Sequence, residues 1–170
     1  MLTGDKGKTA RMIGIQCGML TPQQKQIKIE ENKREVIESP DAIEKQDVKK
    51  PMNKISSVIE AKEEVILYEV DEDTQKNPQE EIKKIMQLAQ SRKQGTKMEL
   101  LIDGCAFARM LDCSKETLID LNIALNQAQA VIIYRASPKQ KEQVVQFMRS
   151  HNPGKVTLSI GDGSNDVNMI

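Results

Sequence analysis

Between residues 98 and 160, short apolar runs alternate with amphipathic stretches, and this alternation constrains the fold more than any other feature of the chain. The apolar runs are MELLIDG (98–104), AVIIYR (130–135) and KVTLSI (155–160). Each is short and aliphatic, as buried strands are. Strands that alternate with helices form a parallel sheet with helices on both faces. The sequence therefore predicts an α/β fold, whose ligands bind beyond the carboxyl ends of the strands.

The helices between these strands carry start signals. The predicted helix at 114–128 begins with Ser114, a good N-cap. The predicted helix at 137–152 begins with Ser137 at the cap and Pro138 at the first helical position. Both arrangements are typical of helix N-termini. The sequence therefore predicts a helix before and after the second strand.

The chain before residue 98 is divided by composition. Residues 21–64 are rich in Lys, Glu, Gln and Asn, and too few are apolar to offset the entropy of ordering, so we expect a largely disordered insertion, or a surface helix over part of it. Residues 65–97 form a variable connection, in which 64–70 predicts a short edge strand. Residues 77–95 predict an amphipathic helix that ends at Gly95, with a buried stripe of Ile82, Ile85, Met86 and Ala89.

Residues 1–20 open with a turn and continue as a helix. Ala10, Ile13, Cys17 and Leu20 lie on one helical face and predict its buried side. The four regions of the chain are therefore 1–20, 21–64, 65–97 and 98–170.

Composition excludes several functions. Lys plus Arg and Asp plus Glu number 25 each, which gives no electrostatic case for binding nucleic acid. Three cysteines without a CxxC pair and a single histidine predict reduced, buried thiols rather than a zinc site. No apolar run is long enough to span a bilayer.

Three polar motifs follow predicted strands or begin predicted helices. In TGDK, a hydroxyl, a glycine amide and a carboxylate precede a helix, which suits a phosphate group, although an N-cap with a turn glycine has the same sequence. Lys141 lies in the first turn of its helix, where a bound anion would offset its unfavourable position; the alternative is a solvated lysine. GDGSND (161–166) places two aspartates and an asparagine at a helix start and suits Mg²⁺; the alternative is a turn and an N-cap.

Together the motifs supply the groups needed for phosphoryl transfer. A hydroxyl and an amide hold the phosphoryl group, a cation neutralises its charge, and carboxylates hold a metal. The nucleophile is the one part that the sequence does not supply.

These residues resemble a known family. MLTGDKGKTARMIGIQCGML, YRASPKQKEQVV and IGDGSNDVNMI resemble the phosphorylation domain of P-type ATPases, and the VNMI ending and the SPKQK segment resemble the phospholipid-translocating subfamily, the flippases. The resemblance covers residues 1–20 and about 98–170. It implies a partial haloacid-dehalogenase-like Rossmann fold, with a polar insertion, and the cofactors Mg²⁺ and ATP.

The resemblance also implies roles for single residues. Thr3, Gly4 and Asp5 would contact the phosphoryl group and support the metal site, and Lys141 would bind the phosphate. Asp162 would be the main Mg²⁺ ligand, with Asp166 as a second and Asn165 and Asp166 holding the site together. The residues implied in nucleotide binding are Thr3, Gly4, Asp5, Arg135, Lys141, Asn165 and Asp166.

The chain also departs from the family. Ser164 and Asn168 replace smaller residues, and Gly7, Lys8 and Arg11 differ from the usual helix start. The family's phosphorylated aspartate lies in Asp-Lys-Thr-Gly, which this sequence does not contain, and Asp103 in IDGCAF has the wrong following residues. We therefore expect the chain to be a piece of a pump, from a truncated gene model or one exon, and to be inactive alone.

The expected partners are the nucleotide-binding, actuator and membrane domains of the same pump, a transported phospholipid and an accessory subunit. The whole pump would be a multi-pass membrane protein with this segment on the cytoplasmic side, and the isolated segment would be soluble. Two alternatives remain open: a free-standing module that binds Mg²⁺ or phosphate and a partner, and a soluble phosphatase of the same superfamily.

Overall fold

The computed structural model describes residues 1–22, 26–30, 33–35, 64–72 and 77–170. The strands, in chain order, are β1 Gln26–Glu30, β2 Lys33–Glu35, β3 Val65–Val70, β4 Lys97–Asp103 and β5 Ala130–Tyr134. The helices are α1 Gly7–Gln16, α2 Pro78–Ser91, α3 Gly104–Leu111, α4 Lys115–Gln127 and α5 Pro138–His151. The α/β class predicted from the sequence is confirmed.

The strands form one sheet in the order β2-β1-β3-β4-β5. β1, β3, β4 and β5 pair in parallel, and β2 pairs antiparallel with β1. On the edge of β5 that is not paired with β4, Leu2 forms a parallel bridge with Ile133. This bridge places the first residues of the chain beside the carboxyl end of the sheet.

Helices cover both faces of the sheet, which explains the continuous apolar runs. Met98, Leu100 and Ile102 of β4 belong to the core shared with helices α2 to α5. Leu101 belongs to the opposite core, which includes Ala10 of α1. Because β4 and β5 are buried on both faces, their sequences are nearly continuous apolar runs.

Hydrogen-bonded caps fix the helix starts. The Ser137 hydroxyl accepts from the amide of Gln140, whose side chain accepts in turn from the Ser137 amide, forming a capping box. Ser114 caps α4 in the predicted way. Asp103 caps α3, with its Oδ1 accepting from the amides of Cys105 at 2.8 Å and Ala106 at 3.4 Å. The last residue of β4 therefore also orients α3.

The predicted third strand at 155–160 is wrong. Val156, Leu158 and Ile160 are 99%, 80% and 80% exposed, and the segment is not in the sheet. A strand needs a hydrogen-bonding neighbour. In the part of the chain that the structure describes, no strand lies between residues 155–160 and the edge at Leu2. The backbone of residues 155–160 therefore has no neighbouring strand with which to form hydrogen bonds.

Other expectations are corrected in the first half of the chain. The 64–70 run is an interior strand, paired with β1 and β4, rather than an edge strand. The insertion at 21–64 stays a prediction: residues 26–30 and 33–35 form β1 and β2, and residues 23–25, 31–32 and 36–63 lie outside the described residues. The predicted stripe of residues 77–95 is buried at three of its four positions, with Met86 only half-buried.

The buried face of α1 also differs from the expectation. Ala10 and Gly14 are buried in the helix, and Leu20 beyond it, whereas Ile13 and Cys17 are exposed. A Cβ on Gly14 would lie 2.5 Å from Ile132 Cδ1, so this glycine lets the helix approach β5 closely. The buried face includes Gly14 rather than the predicted Ile13, because a glycine, which is not counted as apolar in the sequence pattern, makes the contact with β5.

The cysteines are free but not buried as expected. Cys17 and Cys105 are exposed, and Cys113 is half-buried.

Among the helices that the structure describes, none combines the length and the apolar character needed to cross a bilayer.

Candidate functional site

A cavity of about 710 Å³ opens at the carboxyl end of the sheet, beside β5. Residues 1–5 form one wall, residues 157–162 form another, and Lys141 and Val145 of α5 contribute to its lining. Asn165, Asp166 and Met169 complete it. The position agrees with the rule that ligands of parallel sheets bind beyond the strand ends.

The loop Thr3–Asp5 is held by hydrogen bonds in the first wall. The Thr3 hydroxyl donates to Asp5 Oδ2 at 2.7 Å, and the Asp5 amide donates to Thr3 Oγ1 at 3.2 Å. The backbone after β5 holds the loop from the other side, because the amides of Arg135 and Ala136 donate to the carbonyls of Asp5 and Thr3. The loop is therefore fixed both within itself and against β5.

Lys141 and Asp166 form a buried ion pair at the cavity. Lys141 is 5% exposed and Asp166 is 6% exposed, and the Lys141 Nζ donates to Asp166 Oδ1 at 2.8 Å. The Lys141 hydrogen bond holds the pKa of Asp166 below its usual value, with further help from the backbone amides of Asp162 and Gly163 and against the effect of burial. Lys141 is thus a buried cation at the cavity rather than a solvated surface lysine.

The GDGSND segment is a series of turns around the Asp166 side chain. A Cβ on Gly161 would collide with the Cβ of the buried Asp166, so this packing needs glycine at 161, whereas a Cβ on Gly163 would only displace the exposed Asn165 side chain. The predicted helix start at Asn165 is wrong, because residues 163–169 form turns rather than a helix. The turns still bring Asp162, Asn165 and Asp166 to the cavity.

Arg135 does not line the cavity. Its Nε donates to Asp103 Oδ2 at 2.6 Å, and its terminal NH2 nitrogen lies 3.2 Å from Glu72 Oε2. The hydrogen bond to Asp103 raises the pKa of the guanidinium further. The sequence did not predict that Asp103 and Glu72 would pair with Arg135. The one available signal was that each is an acidic residue at or just after the end of an apolar strand.

Seven of the predicted site residues are therefore brought together and one is not. The residues at the cavity are Thr3, Gly4, Asp5, Lys141, Asp162, Asn165 and Asp166. Arg135 lies beside them, since its backbone supports the Thr3–Asp5 loop while its side chain pairs with two other carboxylates.

The oxygen donors at the cavity suit a hard cation. Asp162 and Asn165 are exposed, whereas one oxygen of Asp166 is engaged by Lys141. Carboxylate and amide oxygens in this number fit Mg²⁺, which keeps several waters and shares phosphate oxygens. Glu72, Asp103 and Cys105 also place ligand atoms within 4.8 Å of one another, but Arg135 occupies both carboxylates.

Comparison with known proteins finds several phospholipid-transporting ATPases among the relatives of this chain. No protein-family profile matches the chain. Over its whole length it is 33% identical, across 171 aligned residues, to the probable phospholipid-transporting ATPase 11 of Arabidopsis thaliana, and 32% identical, across 173, to phospholipid-transporting ATPase VD of Homo sapiens. A part covering 42% of the chain is 40% identical to phospholipid-transporting ATPase 11C of Mus musculus. The chain spans 12%, 10% and 7% of these relatives.

Proposed function

The chain belongs to the phospholipid-transporting P-type ATPases, matching one segment of them, and we propose that it forms the part of their phosphorylation domain that binds the transferred phosphoryl group with Mg²⁺. One observation carries this proposal. Seven residues from three separate segments, selected from the sequence for phosphoryl chemistry, line a single cavity. The hydroxyl, the cation and the oxygen donors are thereby collected in one place.

Each group has a task that follows from its chemistry. The Gly4 amide would donate a hydrogen bond to a phosphoryl oxygen, the Thr3 hydroxyl would do so after turning from Asp5 Oδ2, and the Lys141 ammonium would neutralise the charge. Asp162 and Asn165 would offer oxygens to Mg²⁺, which would supply positive charge beside the phosphoryl group. Asp166 holds Lys141 in place through the 2.8 Å hydrogen bond. The residues present therefore fit a Mg²⁺ ion and a phosphate.

The activity of the whole protein is part of the same proposal. In the pump, ATP would phosphorylate an aspartate supplied from outside this sequence, and the cycle would drive phospholipid across a membrane, with this segment on the cytoplasmic side. The rest of the pump, and an accessory subunit, would be the partners. Since the sequence contains no Asp-Lys-Thr-Gly stretch, the chain by itself would bind phosphate without turning over ATP.

Titration of the ¹⁵N-labelled chain with MgCl₂ and inorganic phosphate tests the site. We expect the amide resonances of Gly4 and Asp5 to shift only when both are present. Lys141→Met should weaken the phosphate response by about tenfold or more, since a charged hydrogen bond is lost. Lys139→Met, an exposed lysine in the same helical turn, is the matched control and should leave the response unchanged.

Equal responses in the two lysine variants would contradict the site, and phosphoenzyme formation from labelled ATP by this chain would contradict the proposed inactivity. The pump assignment has its own test. An antibody to residues 25–60 should detect a membrane-bound protein much larger than 19.1 kDa in native cells. Detection of only a 19.1 kDa band outside the membranes would overturn it and favour the free-standing binding module.

A further inference from the structure

The backbone at Arg135 has an unusual conformation that bears directly on the site. Its φ is 52°, in the left-handed region, which only glycine adopts without strain. The Arg135 amide donates to the Asp5 carbonyl at 2.9 Å, and the next amide, of Ala136, donates to the Thr3 carbonyl at 3.0 Å. The backbone direction at residue 135 therefore determines whether both hydrogen bonds to the Thr3–Asp5 loop can form.

The side chain of Arg135 is anchored outside the cavity. Asp103 is fully buried, and its Oδ2 accepts from Arg135 Nε at 2.6 Å. Its other oxygen, Oδ1, accepts from two amides at the start of α3, so the carboxylate is fixed from both sides. Glu72, at 3.2 Å from the Arg135 guanidinium, gives a second and more exposed contact. This arrangement gives the arginine a rigid anchor.

The anchor and the strained backbone are packed tightly against each other. A Cβ on Gly104 would lie 2.9 Å from Ala136 Cα and 3.1 Å from the Arg135 carbonyl oxygen. The start of α3 thus lies directly against residues 135 and 136, which leaves little room for another backbone path. The ion pair and this contact act on the same short segment.

We propose that Asp103 is a positioning residue for the phosphoryl-binding loop: its ion pair with Arg135 holds that residue in the left-handed conformation from which residues 135 and 136 hydrogen-bond to Thr3 and Asp5. Asp103 reaches the loop only through Arg135 and does not touch the ligand. The identification of the loop as phosphoryl-binding rests on the proposed function. The chain of contacts from Asp103 through Arg135 to the Thr3–Asp5 loop does not.

Glycine at position 135 separates this role from a direct role of the guanidinium. Glycine adopts a φ of 52° without an anchor, whereas alanine does not. Asp103→Asn removes the charge that pairs with Arg135 and retains a good N-cap for α3. The double variant Asp103→Asn with Arg135→Gly should therefore recover the loop hydrogen bonds, and Asp103→Asn with Arg135→Ala should not.

Amide hydrogen exchange on the whole chain measures the link without any ligand. In Asp103→Asn, exchange at the amides of Arg135 and Ala136 should accelerate by about tenfold, whereas the Ile133 amide, which donates to Met1 within the sheet, should change by less than about twofold. Arg135→Gly in the Asp103→Asn background should restore protection to within about threefold of the wild type. Asp112→Asn, at an exposed residue after α3, is the matched control and should have no effect.

Unchanged exchange in Asp103→Asn, or no recovery with glycine, would overturn the proposal. Circular dichroism of the glycine double variant shows whether the fold is intact, and a folded protein with unprotected amides at 135 and 136 counts against it. A phosphate titration of the same variants distinguishes the positioning role of Asp103 from the proposed phosphoryl-binding function. If exchange follows the expected pattern and phosphate does not bind, the positioning link stands and the proposed function fails.

Discussion

The ammonium group of Lys141 is hydrogen-bonded to Asp166 at 2.8 Å, and both side chains are buried, although 25 residues separate them. The pair joins the first turn of α5 to the glycine-rich turns at 161–166. It sets the position of a cation at the cavity, and it ties the turns at 161–166 to α5.

Acid should loosen this contact. The pKa of Asp166 lies below its ordinary value because of Lys141, so the ionised carboxylate stabilises the fold above about pH 4, and this contribution is lost as the pH falls through the lowered folded-state pKa. Urea unfolding of the wild type between pH 6 and pH 2.5 should show this loss. Asp166→Asn should show a smaller acid dependence, and Asp162→Asn, an exposed neighbour, should behave as the wild type does. Identical slopes for the wild type and Asp166→Asn would contradict the assignment.

Alkali should act through Tyr134. Burial raises the pKa of this phenol, and so do its hydrogen bond to Asp71 and the surrounding carboxylates. Because the folded-state pKa is raised above the unfolded value of about 10, stability is complete below that pH and falls as the pH rises beyond it. Tyr134→Phe should remove this fall, as measured by unfolding between pH 8 and pH 11.

Tyr68 provides the control for that experiment, since it is the chain's other tyrosine and is only half-buried. In the Tyr68→Phe protein, whose remaining phenol is that of Tyr134, absorbance at 295 nm should show no ionisation before the fold is lost. If the Tyr68→Phe protein still releases a phenolic proton while folded, the raised pKa of Tyr134 is wrong.

The exposed segment 155–160 should make the chain self-associate. Val156, Leu158 and Ile160 present apolar side chains to solvent, and residues 157–160 line the same cavity as Leu2, which bridges β5 at the edge of the sheet. Sheet edges of this kind pair with other chains. Val156→Lys should reduce concentration-dependent association in analytical ultracentrifugation, with the stability of the monomer changed by less than about 0.5 kcal/mol.

Ile119→Lys is the comparison for this variant, because Ile119 is 54% exposed on α4, away from the edge. It should leave association nearly unchanged. Equal effects of the two lysines would show that general surface hydrophobicity, rather than the edge, drives association.

Alanine at Gly14 should be costly. The added Cβ would lie 2.5 Å from Ile132 Cδ1 and 2.9 Å from Leu20 Cδ1, so α1 would be pushed away from β5. Overpacking of this kind costs about 1–3 kcal/mol, although alanine favours helices. Thermal unfolding should show the loss, whereas Thr9→Ala, at an exposed position of the same helix, should be nearly neutral. A Gly14→Ala protein as stable as the wild type would refute the close approach.

The sequence predicted best the elements whose signals are local. β4, β5, α4 and α5 were predicted to within about two residues, because their apolar runs, Ser114 and Ser137 act over a few positions. The neighbour of each strand depends on residues far along the chain. For this reason the interior position of β3 and the lack of a partner for residues 155–160 were not predictable.

The candidate site shows the same division. The TGD, Lys141 and GDGSND motifs have recognisable compositions, and all three reach the cavity. The surroundings of Arg135 could not be read in the same way, because its partners Asp103 and Glu72 follow two other strands and only the fold brings them together. Sequence reasoning found the groups that would touch a ligand and Asp166, which holds Lys141, but it missed Asp103 and Glu72, which hold Arg135.

The bridge between Leu2 and Ile133 has a consequence for how this chain can vary. The cavity depends on closing one long loop, since the Thr3–Asp5 wall reaches its place only when residues 1–5 meet β5, more than a hundred positions later. The entropy of closing a flexible loop grows only logarithmically with its length, by about 0.6 kcal/mol for each doubling. Insertions in the connections between the elements of this stretch should therefore cost little, whereas a deletion that removed β1 or β2 would also remove pairing from the sheet.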